Sequence, residues 1–103
     1  MKIKIGHYDW NVELVDSTDK DLEDKYDGRC TYGTMRIVVK NDLDPQVIKE
    51  TLLHELTHAY LCMAGRYRQT KFDVDELCEF VGWYAEPMLE TADKILKEWK
   101  IKR

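Results

Sequence analysis

Long apolar runs are missing from this 103-residue chain. No stretch approaches the roughly 18 uninterrupted apolar residues of a membrane-spanning helix, so no membrane partner is expected. Met1 to Ile5 is too short and too charged to read as a secretory signal, and a cytoplasmic location is expected. Basic charge is also in short supply. Sixteen Lys and Arg stand against 20 Asp and Glu, a formal net charge of −4, and the basic residues are scattered apart from a lysine-rich C-terminus. Nucleic-acid binding needs a basic patch, so no nucleic-acid partner is expected. The three cysteines, Cys30, Cys62 and Cys78, are odd in number, widely spaced and form no C-x-x-C. That pattern excludes a disulfide framework and a thiolate zinc knuckle, and suits a reducing compartment. Repeats and low-complexity segments are absent too. What remains, 44% apolar and 35% charged, describes a soluble globular chain long enough for one modest core, hence a single domain over residues 1–103.

Read in order, the chain begins with two alternating segments, Lys2–Ile5 and Tyr8–Val15, interrupted by Gly6 and His7, and both predict short strands. Residues 16–28 are polar and predict a surface loop with a helical turn near Leu22. A turn at Tyr32 and Gly33 precedes Met35–Lys40, the strongest strand signal in the chain. Asp44 followed by Pro45 is a helix start, and that helix should run to about Ala64, stopped by Gly65, with Ile48, Leu52, Leu56, Ala59 and Met63 as its core stripe. After a basic loop, a second helix should begin at Asp73 with Val74, Leu77, Val81, Tyr84 and Met88 facing the core. Pro87 predicts a kink or break at Glu86, and Ile95, Leu96 and Trp99 face inward beyond it. The expected fold is α+β, a sheet of about three strands containing antiparallel pairs with two helices packed on it.

The first helix carries T-L-L-H-E-L-T-H-A-Y-L over residues 51–61. Residues four apart on a helix lie one turn above each other, so His54 and His58 project from one face. Two neutral imidazoles there can hold a Zn²⁺. Glu55 is rotated by about 100° from His54 and is placed to take a proton from metal-bound water rather than to bind the ion. This is the metallopeptidase reading of H-E-x-x-H. Cys62, four residues beyond His58, edges the same face but reads as a small buried hydrophobe.

A catalytic zinc usually has three protein ligands. The third histidine, His7, lies far upstream, and the metzincin extension fails because Leu61 and Ala64 stand where Gly and His are required. A carboxylate from the second helix is therefore expected. Asp75, Glu79, Gly82 and Glu86 share one face at i, i+4, i+7 and i+11, and with Cys78 and Ala85 nearby that face is narrow enough to approach the histidines. Glu79 is the favoured ligand. Asp75 is an alternative, with Glu79 then bonding a histidine N–H, and Glu76 is another.

The order strand, acid-capped helix with H-E-L-T-H-A, basic loop and helix with D-E-L-C-E-F-V-G resembles the small zincin-type metallopeptidases of phages and mobile elements related to the ImmA/IrrE group. The likeness covers Met35 to Leu89. That group has a ligand glutamate, then Cys or Ala followed by Asn, then an apolar residue and Ala; this chain has Asp75, Cys78, Glu79, Val81 and Gly82 at comparable positions. Asp at 75 and Glu at 79 are departures, and they leave Glu79, Asp75 and Glu76 open as ligands. The resemblance implies a minimal zincin-like domain and a cytoplasmic zinc peptidase acting on a peptide or protein substrate, some members of the group cleaving repressors. On this reading Glu55 is the general base. The strand Met35–Lys40 would be the sheet edge that an extended substrate pairs with, and Tyr32 or Tyr67 would be candidate oxyanion donors. The alternatives are a non-catalytic zinc-stabilised interaction module of phage or mobile-element origin, and a zincin scaffold that has lost its metal.

Overall fold

A computed structural model describes residues 1–66 and 68–101. The two alternating segments form β1 (Lys2–Ile5) and β2 (Tyr8–Val15), an antiparallel pair joined through Gly6, which adopts φ +64° in the turn. The chain then makes a short 3-10 turn at Lys20–Leu22 and runs out to β3 (Gly28–Thr31). It returns as β4 (Arg36–Lys40), which pairs antiparallel with β3 and parallel with β2. Strand order is β1-β2-β4-β3. The architecture is thus α+β with a four-stranded mixed sheet, one strand more than the sequence predicts. The additional strand, Gly-Arg-Cys-Thr, is short and carries no alternation of its own, so only its neighbour β4 reveals it.

Strand order also corrects the expected role of Met35–Lys40. Ile37, Val38 and Val39 are all fully buried, because β4 is covered on both faces. Ile37 and Val39 join the main core with Trp10 and Val12, while Val38 points the other way to Val15 and Leu22. Consecutive buried residues belong to an internal strand. The edge next to β4 is β3.

Two helices cover one face of the sheet. α1 (Pro45–Met63) starts where Asp44 accepts a hydrogen bond from the Gln46 N–H at 2.9 Å, with Pro45 in the first turn. Ile48, Leu52, Leu56 and Ala59 are buried as expected, and Gly65 ends the segment at φ +77°. α2 (Val74–Glu98) opens with a capping box: Asp73 accepts from the Glu76 N–H at 2.8 Å, and Glu76 accepts from the Asp73 N–H at 3.3 Å. It continues through Pro87 without a break. The Pro87 carbonyl accepts hydrogen bonds from the Tyr60 hydroxyl at 3.2 Å and from Thr91 Oγ1 at 2.9 Å, which fastens that turn to α1.

Tyr84, Met88, Ile95, Leu96 and Trp99 of α2 pack on the core as expected, but its first turns differ. Phe80, Ala92, Ile95 and Leu96 are buried and Tyr84 is half-buried against them, whereas Val74, Leu77 and Val81 are exposed. The first half of α2 is apolar on two adjoining arcs. Phe80 and Tyr84 occupy the inward one because their larger rings remove more surface from water.

Behind the sheet, Arg36 ties the polar loop down. Its guanidinium donates to Asp19 and Asp21 at 2.9 and 2.7 Å and to Glu13 at 3.0 Å. The Arg36 hydrogen bond holds the Asp19 carboxyl below the usual carboxylate range. We expect Arg36→Met to lower stability by about 2 kcal/mol in urea unfolding at neutral pH. Because the Asp19 pKa is depressed in the folded state, this difference is present above the ordinary carboxylate pKa. It fades as pH falls through the lower folded value, so an unchanged gap in strong acid would contradict the assignment.

Candidate metal centre

The core stripe of α1 fixes where its polar residues point. With Leu52, Leu56 and Ala59 inward, the helical angle places Glu55 at the margin of the buried face and His54 and His58 outside it. Accordingly Glu55 is buried at 7% exposure while both histidines are exposed. The imidazole centroids are 5.2 Å apart and tilted by 71°. One ligand atom from each of His54, Glu55 and His58 can be chosen so that all lie within 4.8 Å of one another, the group of metal-binding character found among the described residues. Two imidazole nitrogens beside a carboxylate are a donor set that suits zinc.

The electrostatics divide labour within the group. Burial pushes the Glu55 carboxyl above its ordinary pKa; His54, the Cys30 backbone N–H that hydrogen-bonds it, and Arg29 pull the other way. Burial, helped by His54, lowers the pKa of His58 and so favours its neutral, ligating form. Neutral imidazole nitrogen is what a metal needs, and a carboxyl with a raised pKa is closer to the operating range of a general base.

These three residues open onto a cavity of about 360 Å³. Its other walls are Gly28, Arg29 and Cys30 from β3, Tyr26 and Tyr32 from the flanking segments, Trp10 from β2, and Cys62. Tyr32 lines this cavity edge-on to Tyr8, with ring centroids 6.2 Å apart, whereas Tyr67 lies outside the described residues. Arg29 pairs with Glu23 and lies over the Tyr26 ring. Burial pushes the Cys30 thiol up to about 12, and it also raises Cys62. Both cysteines are thus thiols at neutral pH, which argues against a cysteine nucleophile in this cavity.

The α2 carboxylates are elsewhere. Glu76 is engaged in the capping box and accepts from Arg66 at 2.7 Å and from Gln69 at 2.8 Å. Glu79 is exposed, 3.9 Å from Arg66, and borders a separate hollow with Ala64 and Trp83. Asp75 is exposed. None joins the His54, Glu55 and His58 group. The reason is the rotation of α2: it meets α1 through Thr57, Tyr60 and Leu61, and its carboxylate face turns to solvent.

The wall supplied by β3 escaped the sequence reading, although one residue in it carried a signal. Gly28 is the glycine that ends the polar loop, and a Cβ there would lie 2.5 Å from Thr51 Cγ2, 3.0 Å from the Val38 carbonyl oxygen and 3.3 Å from Glu55 Cγ. Only glycine lets β3 pass this close to α1 beside Glu55. We expect Gly28→Ala to cost about 1–3 kcal/mol by denaturant unfolding. Adding Thr51→Ser, which removes the clashing methyl, should recover a large part of that loss; no recovery would place the strain elsewhere. No family model matches the chain, and neither does any curated protein or solved structure.

Proposed function

We propose that the chain is a minimal zincin-like zinc peptidase acting on a peptide or protein substrate in a reducing, cytoplasmic setting. The single observation that carries this reading is a buried carboxyl, Glu55, set beside two exposed imidazoles at the mouth of a cavity whose far wall is a sheet edge. His54 and His58 would hold the metal. When bound, zinc supplies a Lewis acid that polarises a carbonyl and makes water acidic near neutral pH.

The chain's own residues do the rest. Glu55 takes a proton from the attacking water and delivers it to the departing amine, a role its buried position suits. The Cys30 N–H orients the Glu55 carboxylate. β3 rather than β4 is the strand beside which an extended peptide would lie, since among the described residues no strand pairs with its outer side. Tyr32 lines the same cavity, and its hydroxyl would donate to the oxyanion. Relationship to the ImmA/IrrE group, and with it a phage or mobile-element origin, belongs to the same proposal and rests on the motif order given above.

The test separates binding from chemistry. We expect His58→Ala to lower zinc affinity by roughly tenfold or more, since one of two imidazoles is lost. Glu79→Ala, Asp75→Ala and Glu76→Ala should leave zinc content unchanged; loss of zinc from any of them would mean that α2 supplies a ligand after all. Glu55→Gln should keep zinc while hydrolysis of a fluorogenic peptide mixture falls by about 10²–10⁴. Zinc held by the wild type with no hydrolysis of any peptide would assign the chain instead to the zinc-stabilised interaction modules.

A further inference from the structure

α2 leaves an apolar arc uncovered. Val74, Leu77, Val81 and Leu89 are 75%, 54%, 51% and 50% exposed. At about 100° per residue these four, with Cys78 and Ala85 between them, fall within about 120° of the helix surface and extend along about 22 Å of its length. Single exposed apolar side chains are ordinary, but a continuous row of them is the mark of an interaction site.

The two borders of the arc differ. On one side it meets α1, where Leu77 shares a small apolar crevice with Thr57, Leu61, Phe72 and Phe80. The opposite border is acidic. Asp75, Glu79, Glu86 and Glu90 are exposed and lie within about 60° of one another along that flank. No Lys or Arg occurs in α2 before Lys94.

We propose that this arc docks an amphipathic helix of a partner protein whose apolar stripe is edged by lysine or arginine. Apolar anchors spaced along one helix face are how such grooves are filled, and the acidic border selects a basic edge. A second copy of this chain fits less well. Antiparallel two-fold pairing of the arc with itself would set both acidic flanks on the same side, where they repel. The inference does not depend on the metal centre, because none of the residues that carry it belongs to the His54, Glu55 and His58 group.

Calorimetry with two synthetic helices of about 18 residues tests this. One has a leucine stripe flanked by lysines, and the other replaces each lysine by glutamate. We expect the lysine peptide to bind the full chain and the glutamate peptide to bind at least roughly tenfold more weakly, with the lysine complex weakening as salt is raised. Val81→Asp and, separately, Leu89→Asp should each weaken the lysine complex by roughly tenfold. The double variant Glu86→Lys with Glu90→Lys should reverse the peptide preference. Circular dichroism verifies that each variant keeps its fold. Equal binding of the two peptides, no binding at roughly millimolar lysine peptide, or indifference to both aspartate variants would overturn the proposal. So would a dimer of the chain that Val81→Asp dissolves, since the face would then belong to a second copy.

Discussion

Leu52, Leu56 and Ala59 of α1 are wholly buried in the same core as Ile37 and Val39 of β4, and this contact sets the rotation of the helix against the sheet. Each such leucine, isoleucine or valine contributes on the order of 1.5–3 kcal/mol when removed from water, so turning α1 even by one residue would be prohibitive. The candidate centre inherits its geometry from that rotation. Glu55 falls at the edge of the buried stripe and is drawn under the surface, while His54 and His58, on the outer side, remain accessible to an ion. Burial of one residue and exposure of its two partners follow from a single helical angle.

Burying a carboxyl is unfavourable unless polar neighbours answer it. Here the answer comes first from His54, and then from the Cys30 backbone N–H and Arg29 of β3, which also lower the Glu55 pKa, while Gly28 lets the strand approach. The net shift is still upward, so burial outweighs these neighbours. For the general-base role proposed for Glu55 that balance is favourable, because a fully compensated carboxylate would be a weaker base than one held in a half-dry wall.

Much of this was legible in sequence wherever a local rule is decisive. Asp44 with Pro45, Asp73 with Glu76, and the glycine at 65 mark helix ends because capping involves only neighbours. The H-E-x-x-H face follows from helical spacing alone. Strand β3 was not legible, since four residues without alternation acquire their conformation from β4. Sheet order is likewise tertiary: β4 has the strongest strand signal for the same reason that it is not the edge, being covered on both sides. α2 presented two apolar arcs, and periodicity cannot choose between them.

The choice between those arcs decides the placement of the α2 carboxylates as well. Bringing Glu79 or Asp75 over α1 would require α2 to turn by about 120°. Phe80, Ile95 and Leu96 would then leave the core, at about 1.5–3 kcal/mol each, and the hydrogen bonds of the Tyr60 hydroxyl to the Pro87 carbonyl and Thr91 would break. The same packing that turns these carboxylates away from the imidazoles leaves Val74, Leu77 and Val81 facing water, so both follow from how α2 packs on α1.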